Sequence, residues 1–192
     1  LVYDSRKIIP GCMFVCIKGA VFDGHAYIRE AVEKQAAAIV IEQETAVPDG
    51  PAVLKVDDTR LALAMLSAAW FGYPAEQLKT IGITGTKGKT TTTYMIRSIL
   101  ESAGHKVGLI GTIEAIIGDE RIPAANTTPE SYVVQEYFRK MADAGCDTCV
   151  MEVSSQGLMM HRVGGFLFDL GIFTNLEPDH IGPNEHASFE EY

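Results

Sequence analysis

The sequence predicts an α/β protein: a small N-terminal α/β domain, then a doubly wound, mostly parallel sheet built around a phosphate-binding loop. Three observations carry that expectation. An apolar run (Leu78, Ile81, Ile83) leads into Gly82-Ile-Thr-Gly-Thr-Lys-Gly-Lys-Thr-Thr-Thr-Thr93, which opens a segment with helical apolar spacing at Ile96, Ile99, Leu100 and Ala103. Strand and helix signals alternate along the chain, the pattern of a sheet whose ligands bind at the strand carboxyl ends. Thr148 to Val153 reads as an apolar strand of the kind found inside a parallel sheet.

Taken in order, Met13 to Ile17 reads as a short strand, and His25 to Ala38 as a helix with Ile28, Ala31, Val32 and Gln35 on one stripe. Ala38 to Ile41 and Ala52 to Val56 are further strands, with a loop from Pro48 to Pro51 before the second. Asp57 or Asp58 can cap a helix carrying Leu61, Ala64, Met65 and Ala68 on one face. Gly72-Tyr-Pro74 ends it, and residues 72–79 form the expected hinge between domains 1–77 and 78–192. Beyond the glycine loop, Val107 to Ile110 is a strand, and Ile113 to Ile117 with Arg121-Ile122 forms a hairpin around Gly118-Asp119. A helix runs from Pro129 to Ala144, with proline in its favoured first turn and Val134, Tyr137, Phe138 and Met141 as its stripe. Ser154 to His161 is a short helix, and Phe168 to Phe173 the last strand.

The strand–glycine loop–helix segment is a phosphate cradle, because backbone N–H groups and the positive end of the helix face an anion. Gly85 and Gly88 let the backbone turn and come close. Lys89 can sit against the β and γ phosphates, and the Thr90 hydroxyl can ligate Mg²⁺. The common pattern G-x-x-x-x-G-K-[ST] would need glycine at 83, where this chain has Ile83, so the local form is T-G-T-K-G-K-T-T. The alternative is an ordinary glycine turn before a helix.

Other polar groups fall at the predicted strand ends. Glu152 is an acid at the end of a buried strand, costly unless paired or bound to a cation. Mg²⁺ is the natural partner in a nucleotide site, and capping of the next helix is the alternative. His180 and Asp179 follow the last strand, where the histidine is either structural or a ligand. Asn126-Thr-Thr-Pro129 either binds an anion at a helix start or caps that helix. Arg162 either pairs with a phosphate or carboxylate or is solvated. Asp4-Ser-Arg6 and Phe22-Asp-Gly-His25 read as turns.

The chain has 192 residues and a net charge of −9, which argues against non-specific binding to nucleic acid or an anionic membrane. It contains neither an apolar run of membrane-spanning length nor a visible secretory signal, so a cytoplasmic location is the default expectation; a monomer is expected as well. Of four cysteines, Cys12 and Cys16 fall on one face of a strand, and Cys146-Asp-Thr-Cys149 has redox or zinc spacing. A zinc site would want a second pair, and 12 and 16 are wrongly spaced for it, so buried, reduced thiols are expected. Leu1 opens directly on a strand-like segment and Tyr192 closes an acidic one, so a fragment of a longer protein is expected.

Several blocks together resemble the Mur ligase family, in its tripeptide-forming branch. They are Asp4-Ser-Arg6 with Pro10-Gly11, Phe14-Val15 and Asp23-Gly-His25; Gly82 to Thr92; Asn126-Thr-Thr-Pro129; Glu152-Val-Ser-Ser155; His161-Arg-Val163; and Phe173-Thr-Asn-Leu176 with Asp179-His180. Their order and spacing hold over nearly the whole chain. The resemblance implies a three-domain enzyme, of which this chain covers the uridine-nucleotide domain and an incomplete ATP-binding central domain, with the C-terminal domain absent.

The implied reaction is ATP-dependent amide formation in peptidoglycan precursor synthesis. The D-glutamyl carboxylate of UDP-N-acetylmuramoyl-L-Ala-D-Glu becomes an acyl phosphate, and the amine of diaminopimelate or lysine displaces phosphate. By the same resemblance Gly85, Thr86, Lys87, Gly88, Lys89, Thr90 and Thr91 wrap the ATP phosphates. Lys89, Glu152 and His180 are the catalytic set, and Thr90, Glu152 and His180 hold Mg²⁺. Tyr3 and Ser5, with the loop Ala20 to Phe22 nearby, match uridine-nucleotide contacts, and Asn126, Thr127, Thr128, Ser154 and Arg162 match muramoyl-peptide contacts. The chain departs from the family at Lys87 (usually Asn), Gln156 (usually His), Met160 (where a polar contact is expected) and the stretch Ile181 to His186. The third domain and a modified lysine past Tyr192 belong to the family's machinery, so the fragment alone is expected to be inactive. A folylpolyglutamate- or cyanophycin-synthetase-like ligase, or a non-catalytic nucleotide-binding relative, are the alternatives.

Overall fold

A computed structural model of the chain describes residues 1–19, 22–183 and 185–192. Ala20 and Val21 of the expected uridine loop, and Asn184 of the altered stretch after His180, therefore lie outside the described residues. The chain divides into two compact units, Leu1–Leu66 and Ser67–Tyr192.

In the first unit, β1 (Met13–Val15), β2 (Ala38–Ile41) and β3 (Ala52–Lys55) form a parallel sheet in that order. Phe14, Ile39, Ile28 and Ala31 fill its core, joined by Cys12 and Cys16, which flank β1 on the face of Phe14. The expected helix from His25 to Ala38 is much shorter. A 3-10 turn (Gly24–Tyr27) leads into α1 (Ile28–Glu33), and Gln35 takes a left-handed φ of 60° that stops it. Gln35 is consequently exposed and leaves the stripe. The turn starts early because the Asp23 carboxylate accepts the His25 amide at 2.9 Å and lies 2.7 Å from the His25 ring. Gly24 is required there, since a Cβ would lie 2.7 Å from the Ile17 nitrogen.

Asp58, not Asp57, caps α2 (Thr59–Trp70), accepting the Arg60 and Leu61 amides at 2.7 and 2.9 Å. The buried stripe of α2 is Leu63, Ala64, Ser67 and Ala68, whereas Leu61 and Met65 face outward. Ala64 and Ala68 of the expected stripe are buried, but apolar residues occur on both sides of this helix, and Leu63 and Ser67 take the inner places expected for Leu61 and Met65.

In the second unit, β4 (Lys79–Thr84), β5 (Val107–Ile110), β6 (Glu114–Ile117), β7 (Glu120–Pro123), β8 (Thr148–Glu152) and β9 (Leu170–Phe173) form one sheet in the order β7-β6-β5-β8-β4-β9. The four strands β5, β8, β4 and β9 are parallel, and the β6–β7 hairpin turns at Gly118-Asp119 as expected. Every residue of β8 is buried. Its side chains alternate: Cys149, Met151 and Val153 meet Phe138 and Met141, while Val150 joins Ile83, Ile96 and Leu100. α3 (Lys89–Ser102) thus covers one face and α4 (Ser131–Asp143) the other, a doubly wound sheet. Ile99 and Ala103 are exposed at the outer side of α3, and buried Thr93 takes the inner position, donating to the Lys89 carbonyl at 2.8 Å. β9 begins at Leu170 and not at Phe168, because Phe166 and Phe168 stack edge-on into the core beside Phe138, and Asp169 turns back to accept the Thr80 amide.

All four cysteines are free and buried. Burial pushes the Cys16 thiol up to about 12 and Cys149 higher still. Cys149→Ser places a hydroxyl in the core beside Phe138, and urea unfolding is expected to show a loss of about 1–3 kcal/mol. Zinc is expected to leave the wild-type midpoint unchanged. A zinc-dependent rise that the variant lacks would overturn the assignment of inert thiols.

Candidate active site

The carboxyl ends of β4, β5, β8 and β9 lie at one edge of the sheet, and the polar residues gather there. β4 ends at Thr84, and Gly85 (φ 130°) and Gly88 (φ 85°) turn the chain into α3. A Cβ on Gly85 would sit 2.2 Å from the Thr174 hydroxyl, so only glycine fits. The first amides of α3 lack intrahelical acceptors and carry the positive end of the helix dipole. Within the loop, however, the Thr86 amide donates to the Asn175 carbonyl at 3.0 Å, and the Lys87 amide to Asn175 Oδ1 at 2.9 Å. The Thr86 side chain is buried against the Glu177 main chain and the Tyr192 hydroxyl. Thr86 and Lys87 are accordingly anchored to the segment after β9, and Gly88 to Thr91 form the turn into α3.

Lys89 is half-buried and donates to the Gly85 and Thr86 carbonyls at 2.6 and 3.2 Å. Burial lowers its pKa below the ordinary lysine value, although Glu152 opposes the shift. A bound polyphosphate stabilises the charged form, so nucleotide binding is expected to take up protons at alkaline pH. Affinity should fall as pH rises through the lowered pKa, before the ordinary lysine value of about 10.4 is reached. Calorimetric titration of MgADP in buffers of different ionisation enthalpy measures this directly, and zero proton uptake throughout the alkaline range up to the ordinary lysine value would contradict it.

Glu152 is fully buried at the end of β8. Its carboxylate accepts from Thr90 Oγ1 at 2.8 Å, the Thr112 amide at 2.9 Å and Thr112 Oγ1 at 3.0 Å, with no ion pair among the described residues. Ser154, not Glu152, caps α5 (Ser155–Met159) through the Gly157 amide at 3.1 Å, which removes the capping alternative for the acid. A buried carboxylate bonded to two hydroxyls and an amide, with the Lys89 ammonium acting on it only at a distance, is a charge that no ion pair among the described residues neutralises. With the Thr90 hydroxyl it supplies the hard oxygen donors that suit Mg²⁺. Gly111 makes the room, since a Cβ there would lie 2.4 Å from Glu152 Oε1. Sequence reasoning missed Thr112, Gly111, Thr174 and Asn175 as parts of the site; only the last two stood inside a recognised block.

The Asn126–Thr128 stretch is not a helix cap, because α4 starts at Ser131 with Glu130 before it. Thr128 is buried, donating to the Glu152 carbonyl at 3.0 Å and accepting the Ser154 amide at 2.9 Å. Thr127 and Thr112 meet hydroxyl to hydroxyl at 3.0 Å, and Asn126 is exposed beside them. Arg162 is not a solvated arginine. It holds Glu130 at 3.0–3.1 Å and the Thr128 carbonyl at 3.0 Å, bracing this loop against the end of β8.

His180 has a left-handed φ of 54° and lines one cleft together with Gly85, Lys89, Ser154, Leu176 and Tyr192. Its ring stands 3.5 Å from Glu185. No group of three or more His, Cys, Asp or Glu placed to hold a metal occurs among the described residues. Met160 is half-buried just past α5.

In the first unit, Ser5 opens a 3-10 turn capped by Asp4, whose carboxylate accepts the Arg6 amide at 3.0 Å and pairs with the guanidinium at 2.7 Å. That pairing lowers the Asp4 pKa. Tyr3 follows Val2, which bridges to Phe14 beside β1. Asp23-Gly-His25 is more than a turn: His25 is buried and accepts the Glu42 amide at 3.3 Å, tying the turn to the end of β2.

A glycine phosphate loop at the head of a doubly wound sheet, facing a buried carboxylate on the neighbouring strand, defines an α/β phosphate-binding protein. More narrowly, the chain belongs to the Mur ligase family: residues 83–192 match the Mur ligase middle domain, and residues 1–71 match the family's catalytic domain. It is 52% identical over 189 residues (98% of this chain, 38% of the relative) to the UDP-N-acetylmuramoyl-L-alanyl-D-glutamate–2,6-diaminopimelate ligase of Bacillus licheniformis. It is 50% identical over 190 residues (99% and 39%) to the enzyme of the same name from Clostridium perfringens. A solved structure of a ligase of that name superposes with a TM-score of 0.82 at 25% identity, covering 99% of this chain and 38% of that one. The chain thus spans about two fifths of the length of the curated relatives it matches. No helix among the described residues is long and apolar enough to cross a membrane.

Proposed function

We propose that this chain forms the uridine-nucleotide-binding part (residues 1–77) and much of the ATP-binding part (78–192) of an ATP-dependent amide ligase. The full protein joins diaminopimelate to UDP-N-acetylmuramoyl-L-Ala-D-Glu in peptidoglycan precursor synthesis. Relatives that bear this activity in their names, at about half identity over nearly the whole chain, support the choice of diaminopimelate over lysine. The single observation that carries the chemistry is Glu152, buried without an ion pair among the described residues and bonded to the Thr90 hydroxyl at the head of the phosphate loop.

In this reading the substrate carboxylate attacks the γ-phosphorus of ATP, the bond to the β-phosphate oxygen breaks, and ADP leaves. The amine then attacks the acyl carbon, phosphate departs and the nitrogen loses its proton. Two anions must meet, so charge neutralisation dominates. The amides of Gly88 to Thr91 grip the phosphates, with Gly85 turning the loop and Thr86 and Lys87 anchoring it. Lys89 leaves its carbonyl partners to meet the β and γ oxygens. Thr90 and Glu152 would hold magnesium and His180 would be a ligand to a second ion; when bound, magnesium would neutralise charge on the phosphates. Asn126, Thr127, Thr128, Ser154 and Arg162 shape the muramoyl-peptide side, and Tyr3 and Ser5 the uridine side. The protein acts in the cytoplasm as a monomer.

The test is ADP release by the full-length protein given ATP, UDP-muramoyl-dipeptide and each diamino acid in turn. Release with diaminopimelate is expected, and no release with any diamino acid would falsify the assignment.

A further inference from the structure

Lys87 belongs to the phosphate loop, yet its side chain points its charge elsewhere. Three hydrogen bonds fix its main chain to the segment after β9. Asn175 Oδ1 accepts its amide at 2.9 Å, and its carbonyl accepts from Asn175 Nδ2 at 3.0 Å and from the Thr174 hydroxyl at 2.8 Å. With the backbone so held, the ammonium reaches Asp179 Oδ2 at 2.6 Å. The other Asp179 oxygen accepts the His180 amide at 2.9 Å. These bonds run in series from the loop to the turn at His180, whose side chain lines the same cleft as Lys89 and Gly85.

The pair is too exposed to matter much for folding, so its effect lies in geometry and local charge. Asp179 stands beside a loop built to receive a polyanion. Were Lys87 to swing onto a phosphate, it would strip Asp179 of its counter-charge and leave a bare carboxylate next to the incoming phosphates.

We propose that Lys87 is a positioning residue: bonded to Asp179, it ties the His180 turn to the phosphate loop and screens the nucleotide from the Asp179 carboxylate. This rests on the ligase reading above and adds to it a specific division of labour between two lysines. Lys89 meets the phosphates, and Lys87 holds the turn that carries His180 into the cleft.

The experiment compares Lys87→Met, Lys87→Arg, Asp179→Asn and the Lys87→Met/Asp179→Asn double variant in the full-length protein. MgADP affinity is read by calorimetry, and kcat and KM for ATP by ADP release. Lys87→Met is expected to weaken MgADP binding about tenfold through the unscreened carboxylate, whereas the double variant returns to within about threefold of wild type. The kcat of Lys87→Met, Asp179→Asn and the double variant should fall by the same factor of about five, because each breaks one tether. Lys87→Arg keeps the pair and stays near wild type. A double variant as weak as Lys87→Met, with Asp179→Asn binding MgADP more tightly than wild type, would make Lys87 a phosphate ligand and overturn the proposal. So would a Lys87→Met protein unchanged in both measures. The calorimetry needs no acceptor substrate, so an inactive wild type would count against the ligase reading while the titrations still decide the tether.

Discussion

Lys89→Ala is expected to reduce ATP-dependent turnover of the full-length protein by about a thousandfold or more, since one preorganised charge on a reacting phosphate is worth at least as much as one oxyanion-hole donor. The fold should hardly register the change. The ammonium at rest donates to the Gly85 and Thr86 carbonyls and makes no ion pair among the described residues, and Gly85 lines the cleft, where water can replace it. Thermal unfolding without nucleotide should therefore stay within a few degrees of wild type, while the rise in Tm produced by saturating MgADP shrinks sharply. Lys89→Arg is expected to fail nearly as badly. The pocket between two loop carbonyls suits a compact ammonium, and a planar fork carries more volume and a different donor geometry. Retention of more than a tenth of wild-type turnover in Lys89→Ala would show that the loop grips its ligand without this residue.

The two central strands β5 and β8 were legible because every residue in them is buried, and burial leaves a compositional trace. Thr148 to Glu152 and Val107 to Ile110 appear with almost the expected bounds, and the phosphate loop announces itself through its glycines and GKT. Where local chemistry competed with periodicity, the reading slipped. The Asp23–His25 contact turned the start of one helix into a 3-10 turn and the left-handed Gln35 stopped it early, and α2, apolar on two sides, kept Ala64 and Ala68 of its expected stripe but not Leu61 and Met65. The deeper omission was Thr112. Nothing in its sequence neighbourhood marks it, because its role comes from β5 lying next to β8, a pairing between residues about forty positions apart. Gly111 is invisible for the same reason: the atom it must avoid, Glu152 Oε1, arrives from another strand. Asn175 and Thr174 stood within a recognised block, but their partner is the Lys87 main chain, which no side-chain pattern reveals.

Glu152→Gln should separate structure from chemistry most cleanly, because the two effects are expected to have opposite signs. Glutamine has almost the shape of glutamate. Its carbonyl oxygen can still accept the Thr112 amide, and the Thr90 and Thr112 hydroxyls can rotate to accept from its NH₂ group. The exchange also removes a buried charge that has no counter-ion among the described residues, so the nucleotide-free protein should melt at the same temperature as wild type or higher. Turnover should nevertheless fall by about 10²–10³, because the carboxylate that accepts the Thr90 hydroxyl has lost the charge that a cation requires. The stabilisation by MgADP over ADP alone should disappear with it. Aspartate would not substitute, since shortening the side chain by one methylene withdraws the carboxylate from both threonines. If Glu152→Gln instead lost stability and kept its turnover, the acid would be a structural anchor for the end of β5, and the magnesium would have to be held elsewhere.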